Sequence, residues 1–131
     1  DAVHDAPRDD EGAARLAAAL PGGGADLVVE AVGRPQAWRA AVLVARPGGE
    51  VVLHGGRPAG AAADLPPHPL HYGEVTVRGS YHHTPAAVAE AVRLLASGDP
   101  PVRELIGPPI GLAELPRALT ASRGDKHHVR P

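Results

Sequence analysis

Apolar residues along the chain alternate between short continuous runs and stripes with helical spacing. The run at 26–32 (DLVVEAV) is rich in β-branched residues, which is typical of a strand buried in a parallel sheet. Two further runs, 51–54 and 75–77, predict strands of the same sheet, and weaker strand signals lie at 2–4 and 125–131. Strands separated by helical stripes predict an α/β protein.

Helical spacing is found in four segments, 9–20, 35–46, 84–97 and 112–122. A Pro-Gly-Gly sequence at 47–49 is predicted to separate the second helix from the strand that follows. The loop between the second and third strands is rich in proline and alanine, and no helix is predicted there. Because short connections join the helices to the strands, the crossovers are predicted to be right-handed and the strands parallel. The predicted fold is a partial doubly wound, Rossmann-like parallel sheet followed by a C-terminal helical and extended segment.

Glycines occupy the carboxyl ends of the three predicted strands. The chain leaves these strands through 31–33 (AVG), 54–56 (HGG) and 79–82 (GSYH). In a parallel sheet these ends meet at one edge, where α/β proteins bind ligands, and glycine lets a flat ligand approach the backbone. Glycine after a strand is also an ordinary turn residue. The residue types alone therefore leave a plain turn and a ligand site both open.

Composition and charge exclude several classes of protein. The 131 residues include no cysteine, which excludes disulfides, thiolate metal sites and a cysteine nucleophile. A formal net charge of −2 lacks the basic excess of a nucleic-acid-binding protein, and no apolar run approaches the length of a membrane span. We therefore expect a cytoplasmic protein that binds neither nucleic acid nor membrane. The chain has no methionine, so we expect a processed product or part of a longer protein.

Two kinds of titratable residue are candidates for chemistry. His68 and His71 are three residues apart, but the prolines around them argue against a helical metal clamp, and we expect solvent-exposed histidines rather than a metal site. Glu30 lies inside an apolar run, either as a functional acid or as a carboxylate paired with an arginine or with backbone amides. No serine-hydrolase or phosphate-loop motif is present.

Three segments together resemble the zinc-dependent medium-chain alcohol and polyol dehydrogenases, particularly the sorbitol- and threonine-dehydrogenase-like branch. They are GADLVVEAVGRPQAWRAAVLVARPGGEVVLHGG, LHYGEVTVRGSYHHTPAAVAEAVRLLASG and the closing RGDK, and they cover nearly the whole chain. The resemblance implies the C-terminal portion of such an enzyme. Residues 1–83 would be the C-terminal part of the dinucleotide-binding domain, and 84–131 the terminal helices and tail that return towards the catalytic domain.

The resemblance also implies a site for NAD or NADP and a small-molecule substrate, a secondary alcohol or polyol. The positions that match the family's cofactor contacts are Ala31, Val32, Gly33 and Arg34 over the cofactor, His54, Gly55 and Gly56 at the nicotinamide, Ser80, Tyr81 and His82 at the carboxamide, and Lys126 at the pyrophosphate. The family's glycine-rich turn and its zinc ligands have no counterpart in this sequence. The resemblance therefore implies no catalytic residue and no zinc ligand here, and we expect the chain alone to be inactive.

The same resemblance implies that the strand at 27–32 is an unpaired apolar edge, because the family's preceding sheet strands have no counterpart here. We expect a chain that is marginally stable, aggregates, or forms a homo-oligomer through that edge.

Two other functions remain open. The segment ARPGGEVVL also resembles the glycine-rich strand entry of methyltransferases, and the chain could instead be a non-catalytic remnant or interaction module. Cofactor binding separates the three, since they predict a nicotinamide cofactor, a sulfonium cofactor and no cofactor.

Overall fold

The computed structural model describes residues 2–98, 104, 106–121 and 128–130. The chain divides into two compact units, Asp1–His82 and His83–Pro131. Each unit has its own sheet.

The first unit contains a three-stranded parallel sheet in the order β1-β2-β3. Its strands are β1 at Ala25–Glu30, β2 at Ala45–Leu53 and β3 at Thr76–Gly79. The last residues of the three strands are register partners, Glu30 with Leu53 and Leu53 with Gly79. All three strands therefore end at the same level of one edge, which confirms the predicted parallel α/β fold.

Three helices accompany this sheet, α1 at Asp10–Ala19, α2 at Pro35–Val44 and α3 at Pro67–His71. The carboxylate of Asp9 caps α1 by accepting a hydrogen bond from the Gly12 amide at 2.7 Å. Proline opens α2 because the first helical position needs no N–H donor. The first two helices begin as their sequence signals predict.

The core of the first unit lies between the helices and one face of the sheet. It contains many alanines and valines, and Val42 of α2 and Val51 of β2 are its largest fully buried side chains. On the opposite face of β1, Leu27 and Val29 are 54% and 61% exposed. β1 is an edge strand of the described sheet, since β2 is its only neighbour there.

The structure corrects two strand predictions. Residues 2–4 form no strand, because no described strand lies beside them to accept or donate backbone hydrogen bonds. β2 begins at Ala45, so the predicted break at 47–49 lies inside the strand. The register with β1 is irregular between Ala25 and Leu27, and Gly48 has φ +71°, which lets the strand continue past the proline.

A third correction concerns the loop that was predicted to contain no helix. α3 forms there despite two prolines, because Pro67 and Pro69 both lie in its first turn, where backbone N–H groups have no intrahelical acceptor. The rings of His68 and His71 both contact the ring of Tyr72, with centroid distances of 5.1 Å and 4.6 Å.

The second unit begins with α4, Pro85–Ser97. The Thr84 hydroxyl caps this helix by accepting from the Ala87 amide at 3.1 Å, and Gly98 ends it at φ +72°. The helix agrees with its sequence prediction. Its apolar stripe is nevertheless exposed, with Val92 at 60%.

The remainder of the second unit is short elements. β4 (Ile110–Gly111) pairs in parallel with β5 (Val129–Arg130), which confirms a strand in the tail. The predicted helix at 112–122 is a 3-10 turn, Leu112–Glu114, followed by α5, Leu115–Thr120. Pro116 lacks the N–H that an α-helix starting at Leu112 would need at that position, so the α-helix begins later.

Candidate functional site

The turns that follow β1 and β2 are in backbone contact. We call residues 31–34 the β1 turn and residues 54–56 the β2 turn. A Cβ atom on Gly33, which has φ +77°, would lie 2.3 Å from the Gly56 carbonyl oxygen, and one on Gly55 would lie 2.2 Å from the Gly33 nitrogen. Only glycine fits at either contact, and the two turns therefore form one packed unit at the carboxyl edge of the sheet.

Glu30, the last residue of β1, connects these two turns. Its Oε1 accepts hydrogen bonds from the amides of Val32 and Gly33 at 2.7 Å and 2.9 Å. Its backbone carbonyl accepts from the amides of His54 and Gly55 at 2.8 Å and 2.9 Å. The side chain is buried, and its Oε2 accepts no hydrogen bond from any described residue. Of the environments considered from the sequence, the structure shows the carboxylate bound to backbone amides.

Trp38 of α2 braces the β2 turn from the side. Its indole N–H donates to the Gly55 carbonyl at 3.2 Å, and the Arg57 guanidinium lies 5.6 Å from the centre of its ring. Arg57 in turn donates to the Ala62 carbonyl at 2.8 Å. Trp38 lies in the segment 35–46, whose helical spacing predicts an apolar stripe facing the core and no further role for this residue. A buried indole N–H requires an acceptor, and this requirement is the one signal in the sequence that could have indicated a further role for Trp38.

The segment after β3, residues 80–82, reaches the same edge. The Ser80 amide donates to the Leu53 carbonyl at 3.0 Å, which holds this segment beside the end of β2. Tyr81 is 81% exposed, and its ring centroid lies 4.0 Å from that of His82. A Cβ atom on Gly56 or Gly79 would meet nothing within 4 Å, so the backbone at these positions faces open space.

A cavity of about 1070 Å³ adjoins the β1 turn. Val32 and Arg34 of that turn line it, together with Arg8 and Gln36. Neither arginine forms an ion pair within the described residues. The cavity is large enough for an organic cofactor of moderate size, and the acids Asp5 and Asp9 line it as well as the arginines.

Of the predicted cofactor-binding residues, the structure brings Gly33 into contact with Gly55 and Gly56 and holds Ser80 beside the end of β2, whereas Lys126 lies outside the described residues. Those that follow one of the three strands directly are Ala31, Val32, Gly33, Arg34, His54, Gly55, Gly56, Ser80, Tyr81 and His82. Sequence reasoning missed the hydrogen bond from Trp38 and the link that Glu30 makes between the two turns.

The described residues do not fit a zinc ion. No three histidine, aspartate or glutamate side chains among them lie close enough together to hold a metal, and the sequence has no cysteine. Nor does any helix in the described ranges combine the length and the apolar character needed to cross a bilayer.

Parallel strands that end level, glycine turns in backbone contact and an adjoining cavity define a Rossmann-type α/β domain. Comparison with known families is more specific. The profile of the zinc-binding dehydrogenase family matches residues 1–97, which is most of the chain. The chain therefore belongs to the zinc-binding dehydrogenase family, as the sequence resemblance indicated.

Several solved structures have the same fold. 2R,3R-butanediol dehydrogenase from Bacillus subtilis is 25% identical with a TM-score of 0.76, over 91% of this chain and 35% of that one. A protein of Sinorhizobium meliloti 1021 described as a zinc-binding dehydrogenase and bound to NADP is 29% identical with a TM-score of 0.74, over 85% and 33%. AibC is 30% identical with a TM-score of 0.68, over 86% and 32%.

This chain thus spans about a third of the length of the solved structures to which it is similar. No curated protein matches it.

Proposed function

We propose that this chain supplies part of the cofactor site of a nicotinamide-dependent dehydrogenase. Residues 1–83 would form the later part of the dinucleotide-binding domain, and residues 84–131 would return towards a catalytic domain. The observation that carries the proposal is the backbone contact between Gly33 and Gly55 at the level ends of three parallel strands. Such an edge lets a flat ring lie directly against peptide groups.

Each turn has a proposed role. The β1 turn lies over the cofactor, the β2 turn offers backbone groups to the nicotinamide, and the segment 80–82 binds the carboxamide. Lys126 contacts the pyrophosphate in this proposal. The bound nicotinamide supplies the hydride-accepting carbon, while the residues of this chain bind and orient it.

The proposed substrate is a secondary alcohol or polyol. The similarity to 2R,3R-butanediol dehydrogenase, whose substrate is a vicinal diol, supports this class. The described residues contain no group that fits zinc, so no catalytic step is assigned to them, and we propose that the chain alone does not oxidise alcohols. A cytoplasmic location is part of the same proposal.

Calorimetric titration of the chain with NADH, NADPH and S-adenosylmethionine tests this function. We expect either reduced nicotinamide cofactor to bind and S-adenosylmethionine not to bind. Gly56→Val should weaken nicotinamide binding at least about tenfold, because its side chain would occupy the open space where the ring approaches. Ala59→Val, in an exposed loop position, is the matched control and should bind like the parent chain.

The other outcomes point to the alternative functions. Binding of S-adenosylmethionine alone would favour a methyltransferase-like domain. Binding of none of the three at millimolar concentration would favour a non-catalytic remnant or interaction module. Either result would refute the dehydrogenase proposal.

A further inference from the structure

We infer that Glu30 is a positioning residue that fixes the β1 turn against the β2 turn, and that cofactor affinity depends on its side-chain acceptor. This inference rests on the proposed function, because the two turns are the proposed cofactor contacts. Glu30 itself is buried and is not among the proposed cofactor contacts. It acts through the backbone groups that it holds.

Glu30 accepts hydrogen bonds through both its side chain and its backbone carbonyl, and we call this arrangement the Glu30 clamp. The side chain accepts from two amides of its own turn, Val32 and Gly33, and the carbonyl accepts from two amides of the next turn, His54 and Gly55. The carbonyl bonds would survive any substitution. The side-chain bonds require an oxygen at Oε1, and without it two amide donors at the edge of the core lose their acceptor.

The second carboxylate oxygen of Glu30, Oε2, contacts the backbone of the β2 turn. A Cβ atom on Gly55 would lie 2.7 Å from Oε2, so this oxygen packs directly against the Gly55 backbone. Only 5% of the residue is exposed. Burying a carboxylate is costly unless its hydrogen bonds compensate, and an apolar side chain here would leave the amides of Val32 and Gly33 without their acceptor. The choice of an acceptor here therefore points to control of the turn geometry.

Pre-organisation connects this clamp to binding. A turn that is already held in one conformation loses little freedom when a ligand arrives, whereas a free turn must be ordered by the ligand and lowers its affinity. Val32 is 67% exposed and the β1 turn borders the cavity, so this turn gains mobility once its two amides are released.

Three variants of the chain test the inference: Glu30→Ala, Glu30→Gln and the control Asp26→Ala. Asp26 is an exposed acid on the same strand, bound to Arg46 at 2.6 Å. For each variant, dissociation constants for NADH and NADPH are measured by calorimetry. Exchange of the Val32 and Gly33 amide protons is measured by NMR without ligand.

We expect Glu30→Ala to raise the dissociation constant about tenfold or more and to speed exchange of both amides by a similar factor. Glu30→Gln should stay within about threefold in both measurements, because its carboxamide oxygen accepts the same bonds. Asp26→Ala should match the parent chain. Parent-like affinity in Glu30→Gln would show that the site needs a hydrogen-bond acceptor at this position and not a negative charge.

Several results would overturn the inference. They are a folded Glu30→Ala variant with parent-like affinity and slow exchange, and a Glu30→Gln variant that loses affinity while both amides stay protected. If Glu30→Ala does not fold, the Glu30→Gln result decides alone. If the parent chain binds neither cofactor, the proposed function fails. The clamp is then judged by amide exchange: fast exchange of Val32 and Gly33 in the parent chain refutes it.

Discussion

Gly33 and Gly60 adopt the same left-handed backbone angle in different surroundings. Both have φ +77°, but a Cβ atom on Gly33 would collide with Gly56 whereas one on Gly60 would meet nothing within 4 Å. The pair therefore separates the cost of the backbone conformation from the cost of the contact between the turns.

Substitution of each glycine by alanine measures these two costs. Gly60→Ala should lower the free energy of unfolding by about 1 kcal/mol, the usual cost of a left-handed alanine. Gly33→Ala should lower it by at least about 3 kcal/mol, since the added methyl group also forces the two turns apart. Urea unfolding followed by circular dichroism gives both values. Equal losses would show that the turns are not in contact.

Single residues also show how far the sequence alone predicts the site. The meeting of the glycine-containing turns at one edge could be predicted, because the strand ends of a parallel sheet converge and glycine after a strand indicates a turn. The bonds of Glu30 could not be predicted, since an acid in an apolar run is equally compatible with an arginine partner. The contact between Trp38 and Gly55 joins residues 17 positions apart, and helical periodicity contains no information on such a contact.

Among the elements, β1 is the one expected to mediate self-association, because its outer edge and one face are open in the described sheet. Leu27 and Val29 project from that face, and both are more than half exposed. Unpaired apolar edge strands pair readily with another chain. The expectation that the chain self-associates rests on this strand.

The substitution Val29→Lys should suppress self-association. In a pair of copies joined through β1, two introduced charges would face each other, and the association constant should fall more than about tenfold. Sedimentation equilibrium across a range of concentrations measures this. Val3→Lys is the control, since Val3 is fully exposed and lies outside the sheet. A parent chain that is monomeric throughout, or equal effects of both lysines, would exclude β1 as the contact.

Helices and strands were predictable to different degrees. α2 and α4 follow their apolar stripes and their caps, which are local signals. The start of β2 at Ala45 could not be predicted, because pairing with β1 continues the strand through the Pro-Gly-Gly sequence. The short helix α3 could not be predicted either, because its prolines suggested a loop. Proline excludes a helix only beyond the first turn, and both prolines of α3 lie within that turn.

On the scale of the whole first unit, Arg39 joins three parts of the chain. Its guanidinium binds both carboxylate oxygens of Asp10 in α1, at 2.6 Å and 2.7 Å, and one oxygen of Asp64 in the following loop at 3.0 Å. The hydrogen bond from Arg39 lowers the pKa of Asp10, and the bond from Asp10 raises that of Arg39. Arg39 therefore stays charged while Asp10 titrates in acid.

This link makes part of the stability depend on pH. Because the pKa of Asp10 is lower in the folded chain than in the unfolded chain, its contribution is present above about pH 4 and is lost as the pH falls through the lowered value. Asp10→Asn should therefore be slightly less stable than the parent at pH 7 and equally stable in strong acid. Unfolding midpoints between pH 2 and pH 7 provide the measurement.

The matched control for this experiment is Asp5→Asn, since Asp5 forms no ion pair within the described residues. It should change stability little at any pH. A difference between Asp10→Asn and the parent that stays constant from pH 2 to pH 7 would contradict the assigned cause, because a lost ion pair must disappear when its carboxylate is protonated.

The chain has a single tryptophan, and its indole N–H is bonded to the Gly55 carbonyl at the carboxyl edge of the sheet. Its ultraviolet emission therefore reports on that edge alone, with no contribution from other indoles to subtract. Reduced nicotinamide absorbs at the wavelengths where indole emits, so a dinucleotide held there would quench Trp38 by energy transfer. The molecule thus contains its own optical probe of ligand occupancy, and no label is needed.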